Sequence, residues 1–475
     1  MNKKFYITTP IYYVNAKPHI GHTYTTIAAD VLARYHRLIG DNTFFATGTD
    51  EHGAKIEAKA IELGKKPEEF VNEVSAQFKD AWKELNISND RFIRTTEADH
   101  IKAVQDALQF MYDKGDIYLG SYEGLYCRGC EQFLSEKDLV DGKCPDHKVE
   151  PETMSEETYM FKMSKYADEL RQLIESDKLK INPVEKKNEI VSFYKNEGLK
   201  DVSFSRKNVK WGVPLPWDES HTAYVWSDAF LNYLTILNWQ GPEQNQGRTE
   251  EFWPADVQLM SKDILRVHAT IWPAMLLSLG LPVQKSIFVH GFFLIDGQKM
   301  SKSLGNVIAP EDLVKKYGVD ATRYLLMSAT TFGNDGDISW EKFDSKFNAD
   351  LANGLGNLVA RVSNMLDKNK VSVEIKNDNK ELQNKFNEQM ELLKIDEAIK
   401  IVWEVLRKCD EAITAKQPWK MTEVVEIKNV LEPIAQDIVT CAKLLSPIMP
   451  ETRAKINNIF TAKEIKKGES LFPRI

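Results

Sequence analysis

Pro18-His19-Ile20-Gly21-His22 follows the apolar run Phe5-Tyr6-Ile7 and precedes an amphipathic stretch from Thr23 to Ile39. Read as strand, tight turn and helix, this order aims two imidazoles and the first helical N–H groups at one point, which suits a polyphosphate. Histidines so spaced at a helix start also serve as capping or core residues. A second stretch adds weight to the phosphate reading: Lys299-Met300-Ser301-Lys302-Ser303, in a turn-rich segment after the strand-like Ser286 to His290. Two ammonium groups with hydroxyls between them can clamp a phosphate, although such pairs also occur as plain solvated loops.

Outward from the first stretch, Phe5–Thr8, Thr43–Ala46 and Arg91–Thr95 read as strands, alternating with helical stretches from Thr23, Ala54, Pro67 and Glu97. This alternation predicts an α/β domain with a doubly wound parallel sheet, whose ligands bind beyond the carboxyl ends of its strands. The Pro18–His22 turn falls at such an end, as does Thr49-Asp50-Glu51-His52-Gly53.

The alternation breaks from 117 to 217, where Cys127-Arg128-Gly129-Cys130 and Cys144-Pro145-Asp146-His147 place four ligand residues on two knuckles. Pairs of this spacing suit tetrahedral zinc; with Cys127, Cys130, Cys144 and His147 all supplied by protein, the ion holds the fold and has no open position for chemistry. Asp138, Asp141 and Asp146 read as solvated loop charges.

The sheet pattern returns with Thr222–Val225, which leads to Trp226 and a helix carrying Asp228, Phe230 and Tyr233, then with Val257–Met260 and Ser286–Val289. Residues 1–116 and 218–290 therefore read as one discontinuous Rossmann-type domain split by the 117–217 insertion. A linking region, 291–345, carries the lysine loop. From 346 to 475 the chain reads as an all-α bundle, with Leu351, Leu355, Leu358, Val359 and Val362 on one helix face and a long connection from Asn369 to Leu382.

The 475 residues are too many for one compact core, and 62 Lys+Arg against 70 Asp+Glu leave a formal charge of −8, so any nucleic-acid contact must come from local patches. There is no apolar run of about 18 residues and no signal-type N-terminus, which predicts a cytoplasmic protein with no membrane association. The cysteines cluster as ligands and do not suggest a disulfide framework.

The two phosphate motifs, in this order, resemble the paired signatures of class I aminoacyl-tRNA synthetases. Thr8-Thr9-Pro10-Ile11-Tyr12-Tyr13-Val14-Asn15, Thr47-Gly48-Thr49-Asp50-Glu51-His52-Gly53, Tyr224-Val225-Trp226, Lys262-Asp263-Ile264, His268 and Val289-His290-Gly291 are similar to the methionine family within that class. The resemblance implies ATP-dependent activation of L-methionine and its transfer to tRNA(Met), initiator tRNA included. It implies ATP handling by His19, Gly21, His22, Asp263, Lys299, Ser301 and Lys302, with Mg2+ on the nucleotide and His19, His22, Lys299 and Lys302 stabilising the transition state. It implies a methionine pocket of Ile11, Tyr13, Trp226, Tyr233, Ile264 and His268, with Asp50 facing the ammonium. Asn357, Arg361 and Trp419 match the anticodon-reading positions.

Without the resemblance, Trp226 and Tyr233 would read as core aromatics, and Trp419 as a buried one. Ser261, Phe230 and Val267 depart from the family pattern and bear on pocket volume. His147 stands where many relatives carry Cys. The chain ends after the helical region, which suggests a monomer without the barrel domain of some bacterial relatives.

A leucine, isoleucine or valine enzyme would need a larger editing insertion, and a cysteine enzyme an open zinc. An adenylyltransferase leaves the helical tail unexplained, a non-charging paralogue leaves both lysines, and a zinc-dependent RNA-binding protein leaves both phosphate motifs.

Overall fold

The computed structural model describes residues 3–129, 132–134, 136–145, 147–242, 248–295, 297–299, 308–376 and 379–475. The sheet that positions the site contains β1 (Lys4–Thr8), β2 (Asn42–Asp50), β3 (Arg91–Arg94), β4 (Lys180–Asn182), β5 (Val257–Ser261) and β6 (Ser286–His290). Its order is β3-β2-β1-β5-β6-β4, every pairing is parallel, and Tyr12–Tyr13 extends the β1 line against the end of β2.

The side-chain alternation of β1 explains its central place. Phe5 and Ile7 enter one core and Tyr6 the other, so the strand is covered on both faces. Helix α1 (Ile20–Leu38) joins the first core, whereas Leu265–Ala269 and Ile271–Ser278, between β5 and β6, join the second. The chain thus leaves β1 towards one side and β5 towards the other. The crevice beyond their carboxyl ends is the switch point at which sheets of this kind take their ligands.

Three details differ from the sequence reading. The strand expected at Thr222–Val225 runs Asp218–Ala223 and belongs to a separate antiparallel sheet with Ser205–Arg206 and Pro214–Leu215. Strand propensity cannot say which sheet a strand joins. β4 comes from within 117–217 yet pairs with β6, Ser286 opposite Lys180. The helix carrying Trp226 and Tyr233 is two short helices, Val225–Ala229 and Asn232–Thr235, interrupted at Phe230 and Leu231.

The cysteine knuckle caps a hairpin of Ile117–Cys127 paired with Glu152–Phe161. Beyond Trp340 the chain is helical, and the five apolar residues expected on one face are buried, with Leu351 and Val362 wholly so. A π-helical turn region, Phe347–Gly356, runs into Asn357–Lys368. The bundle is bolted to the sheet domain by Arg323. Its buried guanidinium donates to Asp30 on α1 at 2.6 Å and to the carbonyls of Ile448, Pro447 and Leu85 at 2.8, 2.9 and 3.2 Å. Among the described residues no helix is long and apolar enough to cross a membrane.

Candidate active site

His19 N-caps α1. Its Nδ1 accepts the Gly21 N–H at 3.0 Å, while His22 Nδ1 accepts the His19 N–H at 3.4 Å, a reciprocal capping box made of two imidazoles stacked 3.8 Å apart. An imidazole that accepts at Nδ1 carries its proton on Nε2, the form that donates to a phosphate oxygen. The first turn of α1 contains no acidic side chain, so the positive end of the helix dipole is not neutralised there. Tyr12 secures the turn from below, with its hydroxyl 2.7 Å from Thr26 Oγ1 and its ring 4.8 Å from that of His22.

His290, quoted in the family resemblance but given no role from sequence, closes the other wall at the end of β6. Its Nδ1 donates to the Gly291 carbonyl at 2.8 Å, so Nε2 accepts from Thr25 of α1 at 2.7 Å. Burial lowers its pKa to about 4, and the Gly291 carbonyl and Asp263 only partly oppose this, so the ring is neutral near pH 7.

On the second-core side of the crevice, β5 leads into Ile264 and His268. His268 Nδ1 donates to the Ile264 carbonyl at 2.8 Å, and Nε2 accepts the Tyr233 hydroxyl at 2.8 Å. Burial drives the His268 pKa down to about 4 against that carbonyl and Asp263, and drives the Tyr233 phenol far up; both stay neutral. Phe230 lies edge-on to His268 at 4.9 Å and stacks on Trp226 at 5.2 Å and on Trp272 at 5.7 Å. Ile11, Trp226, Ile264 and Val267 are half-buried around this apolar wall, and Tyr13, also half-buried, pairs in register with Asp50. Ser261 Oγ donates to Asp263, and Lys262 pairs with Asp335 at 2.7 Å.

Asp50 ends β2, and the turn after it is held from several sides. Glu51, fully buried, accepts Arg94 Nε and Nη2 at 2.7 Å each and Thr96 at 2.6 Å. Trp211 Nε1 donates to the Glu51 carbonyl at 2.5 Å. Gly53 sits at φ 116°, a conformation that side chains beyond Gly rarely adopt, and lets the chain turn into the next helix. His52 Nδ1 donates to Asp228 Oδ2 at 2.7 Å, and His100 Nε2 donates to Asp228 Oδ1 at 2.9 Å. Burial alone would raise the Asp228 pKa, but the charge and hydrogen bonds of His52 and His100 outweigh it and hold it at about 2. Sequence reasoning gave His100 no place here, because no spacing signals a pairing 128 residues apart.

In the knuckle, ligand atoms of Cys127, Cys144 and His147 lie within 4.8 Å of one another, and the two thiols are buried. The knuckle chain passes tightly under His147: a Cβ on Gly129 would come within 2.3 Å of that ring. Cys130, Ser301 and Lys302 lie outside the described residues. The backbone of Lys299 pairs with Leu294 in a short hairpin. Distant from these, the Arg361 guanidinium lies 6.0 Å from the centre of the Trp419 ring and pairs with Asp410 at 2.5 Å. Trp419 is 52% exposed, and Asn357 is exposed one turn from Arg361. Gln417, in the left-handed region at φ 48°, ends the preceding helix; Pro418 after it is buried and Trp419 is exposed. Asp410 is an addition that the sequence did not suggest.

A parallel sheet with a histidine-capped helix at its switch point, an aromatic pocket opposite and a helical bundle behind define a class I tRNA synthetase. The family model "tRNA synthetases class I (M)" matches residues 5–155 and 147–363. The methionine--tRNA ligase of Clostridium acetobutylicum is 43% identical, spanning 100% of this chain and 78% of that protein; that of Thermotoga maritima is 41% identical over 98% and 77%. The solved methionyl-tRNA synthetase of Mycobacterium tuberculosis in complex with methionyl-adenylate superposes with a TM-score of 0.90 at 35% identity, covering 100% of this chain and 99% of that one. The chain belongs to the methionyl-tRNA synthetase family.

Proposed function

We propose that this protein is a methionine--tRNA ligase: it joins L-methionine to ATP as methionyl-adenylate with release of pyrophosphate, then esterifies the 3′-terminal adenosine of tRNA(Met). The observation that carries the reading is the pairing, across one switch-point crevice, of the imidazole-capped α1 terminus with the Tyr233–His268 pocket.

In the first step a methionine carboxylate oxygen attacks the α-phosphorus of ATP, the P–O bond to the β-phosphate breaks, and pyrophosphate leaves. Charge accumulates on phosphoryl oxygens, so catalysis is positioning and charge stabilisation, without a covalent enzyme intermediate. The Nε2–H groups of His19 and His22 and the α1 terminus supply fixed donors, and loss of one such donor typically costs about 3–4 kcal/mol of transition-state stabilisation. Lys299 and Lys302 are assigned the same task from the far side by family pattern, with Ser301, Gly21 and Asp263 on the nucleotide and Mg2+ accompanying its phosphates.

Asp50 is assigned to the substrate ammonium. Ile11, Tyr13, Trp226, Tyr233, Ile264 and His268 are assigned to its thioether chain, whose contacts with aromatic rings are worth roughly 0.3–1.5 kcal/mol each. Because His268 Nε2 already accepts from Tyr233, these two polar side chains satisfy each other, and the pocket meets sulfur with polarizable surface.

Cys127, Cys144 and His147, with Cys130, form the donor set for a structural zinc. The ion would cross-link the hairpin tip and lend no chemistry to the crevice. Asn357, Arg361 and Trp419 are assigned to the anticodon, where an exposed Trp can stack on an unpaired base. The domain division 1–116 with 218–290, 117–217, 291–345 and 346–475 follows the same reading, as does the cytoplasmic setting.

The test is charging of unfractionated tRNA with labelled methionine, followed by identification of the esterified species through periodate protection of their 3′ ends. Methionine on tRNA(Met) alone is expected. Folded protein that charges no tRNA, or a tRNA of another identity, would overturn the reading.

A further inference from the structure

The buried trio His52, Asp228 and His100 lies outside the substrate-facing set, yet it joins the backbone segments that carry Asp50, Trp226 and Tyr233. His52 closes the turn immediately after Asp50. Asp228 lies in the short helix Val225–Ala229 that carries Trp226. His100 reaches both halves of the broken helix: Nε2 donates to Asp228 at 2.9 Å, and Nδ1 is hydrogen-bonded to the hydroxyl of Thr235 at 2.8 Å, in the half that carries Tyr233. At the break the backbone bonds tighten to turns, Leu231 N–H to the Asp228 carbonyl and Tyr233 N–H to the Phe230 carbonyl, and the His100 bridge adds a buried side-chain tie between the two halves. All three side chains are at least nine-tenths buried, and charged hydrogen bonds held away from water are strong and directional.

We infer that Asp228 is a positioning residue for the methionine site, a carboxylate clasp through His52 and His100 that fixes the Asp50 turn against the two half-helices bearing Trp226 and Tyr233. This rests on the proposed methionine-activating function. The clasp fixes the span between the group facing the ammonium and the wall facing the thioether, so it acts on methionine and not on ATP, whose histidines belong to α1. Asparagine at 228 keeps the shape, but its amide nitrogen cannot accept from an imidazole N–H; one histidine must change tautomer or lose its partner. Replacing His100 by glutamine, which reaches less far and has no ring, loosens the bridge between the half-helices while leaving the carboxylate.

The experiment compares wild type, Asp228→Asn and His100→Gln in pyrophosphate exchange, with KM measured separately for methionine and ATP. It also compares binding of methionine with that of its des-amino analogue, 4-(methylthio)butanoate, by tryptophan fluorescence. The expected result is a rise of about tenfold in methionine KM, ATP KM within about twofold, and preference for methionine over the des-amino analogue reduced at least about fivefold, the scale of one charge-assisted hydrogen bond. A merely structural role would lower melting temperature or active fraction without moving that preference. If Asp228→Asn does not fold, His100→Gln decides alone. Unchanged preference and equal changes in both KM values would overturn the inference, whereas wild-type protein that does not bind methionine would overturn the functional reading beneath it.

Discussion

Replacing Tyr233 by phenylalanine removes one oxygen and leaves the ring, which isolates the role of the hydroxyl. In the wild type that hydroxyl donates to His268 Nε2 at 2.8 Å, and His268 Nδ1 is committed to the Ile264 carbonyl. The variant therefore strands a fully buried imidazole lone pair, at a cost of about 1–3 kcal/mol to the folded protein. If the imidazole is no longer held, the pocket loses part of its preorganisation. The loss of methionine affinity is bounded by the same energy, roughly 5- to 150-fold in KM. ATP meets none of these atoms, so its KM should stay within about twofold. Exchange kinetics and urea unfolding measure the two costs. Adding His268→Gln provides the control: partners in one hydrogen bond should show a double variant much less impaired than the sum of the singles. A methionine KM unchanged within about twofold, or strictly additive effects, would refute the assignment of this pair to the pocket wall.

Arg323→Met should lower stability by about 1–3 kcal/mol, because it removes the donor to three buried carbonyls in the joint between the sheet domain and the bundle and leaves Asp30 with only Arg34 and Ser88; denaturant unfolding checks this. His268 and His290 have folded pKa values of about 4, below the ordinary 6.5, so the unfolded chain binds more protons between those pH values. Their stabilisation is complete above pH 6.5 and lost as pH falls towards 4, on the order of 3 kcal/mol each, and His290→Gln should flatten the pH dependence of the melting temperature in that window. Cys144→Ser should abolish bound zinc as read by elemental analysis and lower the thermal stability of the hairpin tip; full stability with no metal would contradict the structural role.

Much of the sheet was legible in the sequence because its signals are local. Phe5-Tyr6-Ile7 is apolar on both faces, and the Pro18–His22 turn sits where a strand gives way to a helix with a capping residue. What local signals could not supply was pairing at long range. Asp218–Ala223 has the propensity of any strand, and only tertiary contacts decide that it joins the small antiparallel sheet. Lys180–Asn182 is too short to advertise a place in the main sheet. The helical spacing of Trp226 and Tyr233 suggested one helix; the break at Phe230 and Leu231 arises while Phe230 packs between Trp226 and Trp272, contacts invisible to periodicity. The site was legible where residues carry a local motif, as at His19 and His22. It was not where a buried carboxylate collects partners from distant helices, as Asp228 does, or where Asp410 meets Arg361 across the bundle.

The central claim is that the crevice activates methionine, and amino-acid-dependent exchange of labelled pyrophosphate into ATP tests it without any tRNA. Methionine, leucine, isoleucine, valine and cysteine are supplied in turn to folded, zinc-replete protein. The account predicts strong exchange with methionine and little with the others. Exchange driven by a different amino acid, or none at all, would contradict it.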